Sequence, residues 1–315
     1  MGPIELEFDI TADLPAEVTE GRQILISAWL FFPDDLSLLG EGPVTMALTA
    51  GGSYDKRYHH VEIPGYPGYS AAKHLAGLGN IVVLTDHLGV GASTRVPDQK
   101  QATRYVVAQA NHGALTQFYA RLASGELHPD LPPYADFTRI GGGHSMGAMM
   151  TTIQQAAHNS WQAIMFLGYT VQGVHGFAGG KQFRMADLLN EVGDPPDYTE
   201  IDRTTQRDNF HFGDVAEAVM LADDAIAVAT PSQIGFVSIK PDIITADAAQ
   251  IKVPVLFANG ERDVSPDPHG EARFFPQCTD FTMYILPGSA HCHTFANTRA
   301  LFWNRMHAWS RSLGL

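Results

Sequence analysis

Apolar and polar positions alternate in two rhythms along this chain. Short β-branched and apolar runs at residues 4–10, 23–31, 44–49, 81–86, 138–142, 163–167, 253–258 and 282–286 predict eight strands. Between them, stretches at 70–78, 102–122, 146–158 and 295–313 carry the longer pattern of helices. The first two strands follow each other directly, and the later ones alternate with helices. That order predicts an α/β fold. An antiparallel start joins a mostly parallel eight-stranded sheet with helices on both faces.

The rhythm breaks between residues 171 and 250, which are acidic, helical in pattern and interrupted by Pro195, Pro196 and Pro231. "DVAEAVMLADDAIAVA" spaces Val215, Val219, Ala222 and Ile226 at helical intervals and so predicts one apolar face. The segment is too long for ordinary crossover helices. It is expected to form a helical cap over the carboxyl edge of the sheet, where open α/β sheets bind ligands. The expected organisation is a core of residues 1–170 and 251–315 with a cap insertion at 171–250. No internal repeat or low-complexity tract is visible.

Composition narrows the class. With 315 residues, 45% of them apolar and only 17% charged, the chain can bury a large core rather than stay disordered. A formal net charge of −14 argues against nucleic acid or an anionic membrane surface as partner. The longest apolar run, "ILISAWLFF", is half of what a membrane span needs. The N-terminal "MGPIELEFDI" has neither a basic leader nor an apolar core, and its Leu6 does not fit a myristoylation signal. Cys278 and Cys292 are too few for a disulfide framework and are expected as free thiols of a cytoplasmic protein, although a secreted chain trimmed of its leader would read the same way.

One stretch calls for a chemical explanation. "RIGGGHSMGAMM" places Ser145 between Gly143 and Gly147, where a predicted strand ends and a helix begins. The pentapeptide fits G-x-S-x-G, in which a sharp strand-to-helix turn holds the serine in strained geometry and leaves no room for flanking side chains. The alternative is a glycine-rich turn with an incidental serine. A serine hydroxyl needs a base, and the base needs an orienting carboxylate. "VPVLFANG" ends in "ERD", placing Asp263 just past a strand tip, and "FTMYILPG" ends in "SAHCH", placing His291 past the next. Three strand-end placements in the order Ser, Asp, His agree.

With "GHSMG", "NGERD", "PGSAH" and the "DHLGVGAS" turn at 86–93, the chain resembles the α/β-hydrolase-fold serine hydrolases over most of its length outside the cap. The turn departs from the family's D-x-R-G-x-G-x-S, with Leu88 in place of the arginine. The resemblance implies Ser145 as nucleophile, His291 as base and Asp263 as its orienting acid. It implies an oxyanion hole made by the N–H of Met146 and one from "LTAGGSYDKRY". Gly52 is the first choice there and Ser53 the second, although family members often carry His-Gly where this chain has Ala50-Gly51.

Other candidates have plainer accounts. His293 is a rival base, but the G-S-x-H spacing favours His291. Glu261 and Asp267 are expected to face solvent. His144 is expected to pack beneath the turn or border the pocket. Tyr54 and Tyr58 are candidate pocket walls, and Tyr66 and Tyr69 share their loop, which could equally be an ordered surface loop. His59 and His60 have no matching third ligand, and no dinucleotide fingerprint is visible, so neither metal nor cofactor is expected. Cys292 reads as a small packed residue.

The implied activity is hydrolysis of a carboxylic ester, lactone or thioester through an acyl-enzyme, on a small neutral or weakly polar substrate. A serine rather than an aspartate at position 145 sets aside epoxide hydrolases and dehalogenases. Hydrolysis of a carbon–carbon bond in a ring-cleavage product uses the same residues, and a small-ligand-binding protein that keeps the fold without the chemistry is the remaining alternative. A homodimer is allowed and nothing in the sequence selects it.

Overall fold

The structure is a computed structural model and describes residues 2–189 and 195–315. Its main sheet contains β1 (Ile4–Asp9), β2 (Leu25–Phe31), β3 (Val44–Thr49), β4 (Asn80–Thr85), β5 (Thr138–His144), β6 (Ala163–Leu167), β7 (Val255–Gly260) and β8 (Phe281–Leu286). They lie in the order β1-β2-β4-β3-β5-β6-β7-β8. β2 pairs antiparallel with both β1 and β4, and the remaining pairings are parallel. β3, β4, β6 and β7 are buried at every position. A parallel sheet covered on both faces has no solvent side, which is why these strands read as unbroken apolar runs.

The longer helices are α1 (Ala71–Gly77), α2 (Arg104–Ser124), α3 (Met146–His158), α4 (Glu217–Ala225) and α5 (Arg299–Ser312). Val107 and Phe118 of α2 and Met149 and Ile153 of α3 pack with Ala47, Val83 and Phe257 on one face. Leu75 of α1 and Phe302, Trp303 and Met306 of α5 pack with Met46, Val82 and Leu84 on the other. The Ser70 hydroxyl caps α1 by accepting from the Lys73 N–H, and α2 ends at Gly125 in the left-handed region at φ 78°. Among the described residues, no helix is long and apolar enough to cross a membrane.

Leu88 is buried in the core, and the cation that meets the buried Asp86 is Lys56, whose Nζ lies 2.6 Å from Oδ2. The Lys56 and Ala92 N–H groups donate to the same carboxylate at 2.7 and 2.9 Å.

The segment between β6 and β7 is less helical than its pattern predicts. Strands His175–Ala178 and Lys181–Arg184 form a hairpin, and Tyr198–Thr199 pairs with Thr230–Pro231. The hairpin follows from "FAGGKQF": Gly179 and Gly180 occupy φ 54° and 74°, the two-residue turn that suits twisted strands. The helical spacing of the later part does form α4. Val219 is buried against Tyr54, Tyr58, Phe210, Cys292 and Phe295, and Val215, Ala222 and Ile226 pack alongside.

Candidate active site

β5 passes into α3 through Ser145, held at φ 56° and ψ −123°. A side chain in that conformation is rare and strained. Each glycine around it answers to a different neighbour. A Cβ at Gly141 would meet the Trp161 ring at 2.4 Å, and one at Gly142 the Leu48 side chain at 2.8 Å. Gly143 and Gly147 pack backbone to backbone, leaving a Cβ on the first only 2.1 Å from the second. From the facing loop, Gly51 approaches so closely that its Cβ would lie 2.8 Å from the Ser145 Cβ. The Ser145 N–H is anchored on the Leu167 carbonyl at 2.8 Å, and its own carbonyl accepts from Ala148 N–H at 2.8 Å to start the helix. Among residues 141–150, Ser145 alone escapes full burial.

Asp263 and His291 reach Ser145 from the ends of β7 and β8. The Ser145 Oγ lies 2.9 Å from His291 Nε2, and His291 Nδ1 lies 2.7 Å from Asp263 Oδ1. A carboxylate can only accept, so Nδ1 carries the proton and Nε2 is left to accept from the hydroxyl. Asp263 is further held by the Val264 N–H on Oδ1 at 2.7 Å and the Gly260 N–H on Oδ2 at 2.8 Å. His293 donates from Nε2 to Oδ2, also at 2.7 Å. Burial would raise this carboxyl, but His291 and His293 outweigh it and hold Asp263 well below the usual carboxylate range. His293 therefore serves the acid rather than contacting the serine.

His144 lies beneath the row. Its Nε2 donates to the His291 carbonyl at 2.7 Å, and its ring stacks on Tyr58 at 4.5 Å. Burial, and then the neighbouring His291 and His293, push it well below the ordinary histidine value, so it stays neutral. Glu261 and Asp267 are exposed. Cys292 is buried, and burial raises its thiol well above the usual range, which removes it as a nucleophile. His59 Nε2 donates to the Thr49 carbonyl, whereas His60 Nδ1 meets the Ser70 hydroxyl; the two rings serve separate contacts.

Two expectations for the loop after β3 need correction. The Ser53 N–H donates to Thr230 Oγ1 at 2.7 Å, so it is committed and unavailable to an oxyanion. Tyr58 is no pocket wall; it lies behind the site against His144, because the helical turn Lys56–His59 directs it inward. Tyr69 packs with Phe295 away from Ser145, and Tyr66 lies exposed on the hairpin of His60–Ile63 with Tyr66–Ser70. Tyr54 does border the cavity, as does Gly52. Met146 opens α3, and the first N–H groups of a helix have no partner within it.

A cavity of about 290 Å³ opens above Ser145 and His291. Its walls include Val174, Met185, Ile201, Phe210, Phe236 and Ile239, all from the segment between β6 and β7. Among the described residues that line it, Glu200 is the single Asp, Glu, Lys or Arg side chain. Beside it lies a group that the sequence reasoning missed: buried Arg203 and Asp223, 2.6 Å apart, with the Tyr54 hydroxyl 2.7 Å from the same Asp223 oxygen. The signal was present, since Asp223 falls four residues after Val219, on the stripe that also carries Ala222 and Ile226. A carboxylate at an apolar position asks for a buried partner.

This is an α/β-hydrolase fold, with a serine at its strand–helix turn hydrogen-bonded to a histidine that is in turn hydrogen-bonded to an aspartate. No protein-family model and no curated protein matches the sequence. Solved structures do match. A soluble variant of monoglyceride lipase from Saccharomyces cerevisiae is similar at a TM-score of 0.66 with 14% identity, over 99% of this chain and 95% of that one. A bromoperoxidase from Bacillus anthracis gives 0.65 and 14%, over 98% and 100%. A thermophilic esterase from Thermogutta terrifontis gives 0.60 and 12%, over 99% of each. At these identities the likeness speaks for the fold, and one fold carries differently named proteins.

Proposed function

We propose that this chain is a serine hydrolase that cleaves small neutral carboxylic esters through an acyl-enzyme on Ser145. The observation that carries the reading is the hydrogen-bonded row Ser145–His291–Asp263 at the floor of the cavity, with contacts of 2.9 and 2.7 Å. His291 takes the hydroxyl proton as Oγ attacks the carbonyl carbon, while Asp263 keeps its charge and steadies the imidazolium. The N–H groups of Met146 and Gly52 receive the oxyanion, and donors of this kind are worth roughly 3–4 kcal/mol each in the transition state. The imidazolium then returns its proton to the leaving alkoxide. Water, deprotonated by the same imidazole, releases the acid and restores the serine.

The cavity supports the substrate class. Its apolar walls favour an uncharged acyl or aryl group, and Glu200, with no Lys or Arg among the described lining residues, disfavours a carboxylate on the substrate. The lipase and esterase among the similar structures support ester chemistry. The test is turnover of p-nitrophenyl acetate and butyrate, with labelling by a fluorophosphonate and location of the adduct by mass spectrometry. Wild type turns both esters over and carries the label on Ser145, whereas Ser145→Ala does neither, and an ester bearing a carboxylate on its acyl group reacts more slowly. Equal rates in wild type and Ser145→Ala would refute the reading.

A further inference from the structure

Ser53 follows Gly52 and is itself strained, at φ 64°. Its three hydrogen-bonding groups are all held by the segment between β6 and β7. The N–H donates to Thr230 Oγ1 at 2.7 Å, the carbonyl accepts from the Val228 N–H at 3.0 Å, and the hydroxyl accepts from Arg203 Nη1 at 2.8 Å. The other arm of Arg203 donates to Asp223 Oδ1 at 2.6 Å and to the Tyr54 hydroxyl. Its guanidinium lies over the rings of Tyr54 and Phe210, 4.4 and 4.7 Å from their centres. The base is tied to the same segment: the His291 and Cys292 N–H groups donate to the carbonyls of Asn209 and Phe210 at 3.1 and 3.0 Å.

An ion pair made only to join this segment to itself would need Arg203 and Asp223 and nothing else. The second arm reaches out of the pair to the hydroxyl of the residue next to Gly52. We propose that Arg203 is a positioning residue that acts through Ser53 to set the Gly52 N–H toward the oxyanion, so that the oxyanion hole is complete only when the inserted segment is seated. Arg203 touches no reacting atom. Its planar fork suits the task, since one face grips the carboxylate while a separate nitrogen holds the hydroxyl. The inference rests on the serine-hydrolase reading above.

The test uses the full chain and p-nitrophenyl butyrate. Displacement of an oxyanion donor by a fraction of an ångström to 1 Å lowers turnover by about 10–100-fold. Arg203→Met is expected near the upper end of that range and Ser53→Ala near the lower, with KM within about threefold. Arg203→Lys falls between Arg203→Met and wild type, because an ammonium can meet Asp223 without the fork. The discriminating measurement compares n-butaneboronic acid, which forms a tetrahedral adduct on a serine, with butyramide, a neutral ground-state mimic. Boronate affinity should fall in step with kcat while butyramide affinity stays at the wild-type value. A wild-type rate in Ser53→Ala, or equal weakening of boronate and butyramide, would overturn the proposal. Should Arg203→Met fail to fold, Ser53→Ala decides alone. An inactive, unlabelled wild type overturns the hydrolase reading and this inference together, whereas an active wild type with unaffected variants overturns this one only.

Discussion

Lowering the pH from 7.5 to 5 should destabilise this protein by several kcal/mol, through histidines that sit where the loop after β3 leaves the sheet. His59 and His87 are buried and send Nε2 to the carbonyls of Thr49 and Ala50 at 3.1 and 3.3 Å, directly before Gly51 and Gly52. Burial lowers each from 6.5 to about 4. Each folded-state value lies below its unfolded one, so the unfolded chain binds more protons as the pH falls. The stability is fully present above about 6.5, drains away below it, and stops draining near 4, where the folded form protonates too. At pH 5, roughly 1.5 pH units below the ordinary value, each imidazole costs about 2 kcal/mol at 1.36 kcal/mol per unit, about 4 kcal/mol for the pair. Typical domains hold only about 5–15 kcal/mol in total. His144, also lowered by burial, adds in the same direction. Asp263, whose value is depressed, keeps its contribution through this window and loses it only below the ordinary carboxylate range. Urea denaturation followed by far-UV circular dichroism at the two pH values measures the loss. His59→Gln and His87→Gln should each shrink it by about 2 kcal/mol, since the amide cannot titrate. Superimposable curves at pH 7.5 and 5, or variants with an undiminished loss, would refute the argument.

The remaining predictions concern the turn and the acid. Gly147→Ala would bring a Cβ to 2.6 Å from the Thr49 carbonyl and 2.7 Å from that of Ala50. Forcing an atom into that contact should cost about 1–3 kcal/mol, visible as a lower melting temperature, and should slow turnover by moving Ser145; a wild-type melt would contradict it. His293→Leu removes one donor from Asp263 while leaving the Gly260 N–H in place. A fall in kcat/KM of about tenfold or more is expected at about 1.5–3 kcal/mol per lost hydrogen bond to a charged group, with His293→Gln recovering part of it. Steady-state kinetics of the two variants decide, and identical losses would show that the hydrogen bond is not what matters.

The sequence by itself determined the layers, the succession of strands and helices along the chain, and the three strand ends that carry Ser145, Asp263 and His291. Buried parallel strands leave continuous apolar runs, so β3 and β6 were legible at their full length, and a serine between glycines marks a turn whose steric demands are local. His291, Asp263 and Ser145 could be read together because each lies just beyond a strand, and parallel strands bring their carboxyl ends to one edge. The hairpin at Gly179 and Gly180 was also local, yet the helical spacing around it drew the expectation the other way. What tertiary structure alone decided were contacts between residues far apart in sequence. Tyr58 was displaced behind His144, the Ser53 amide was taken by Thr230, Lys56 was brought onto the buried Asp86, and Arg203 was brought onto the loop after β3. The physical reason is the reach of each interaction. Periodicity and turn sterics act over a few residues, whereas a buried hydrogen bond or charge takes whichever partner the packing delivers, and its spacing along the chain carries no trace of that choice.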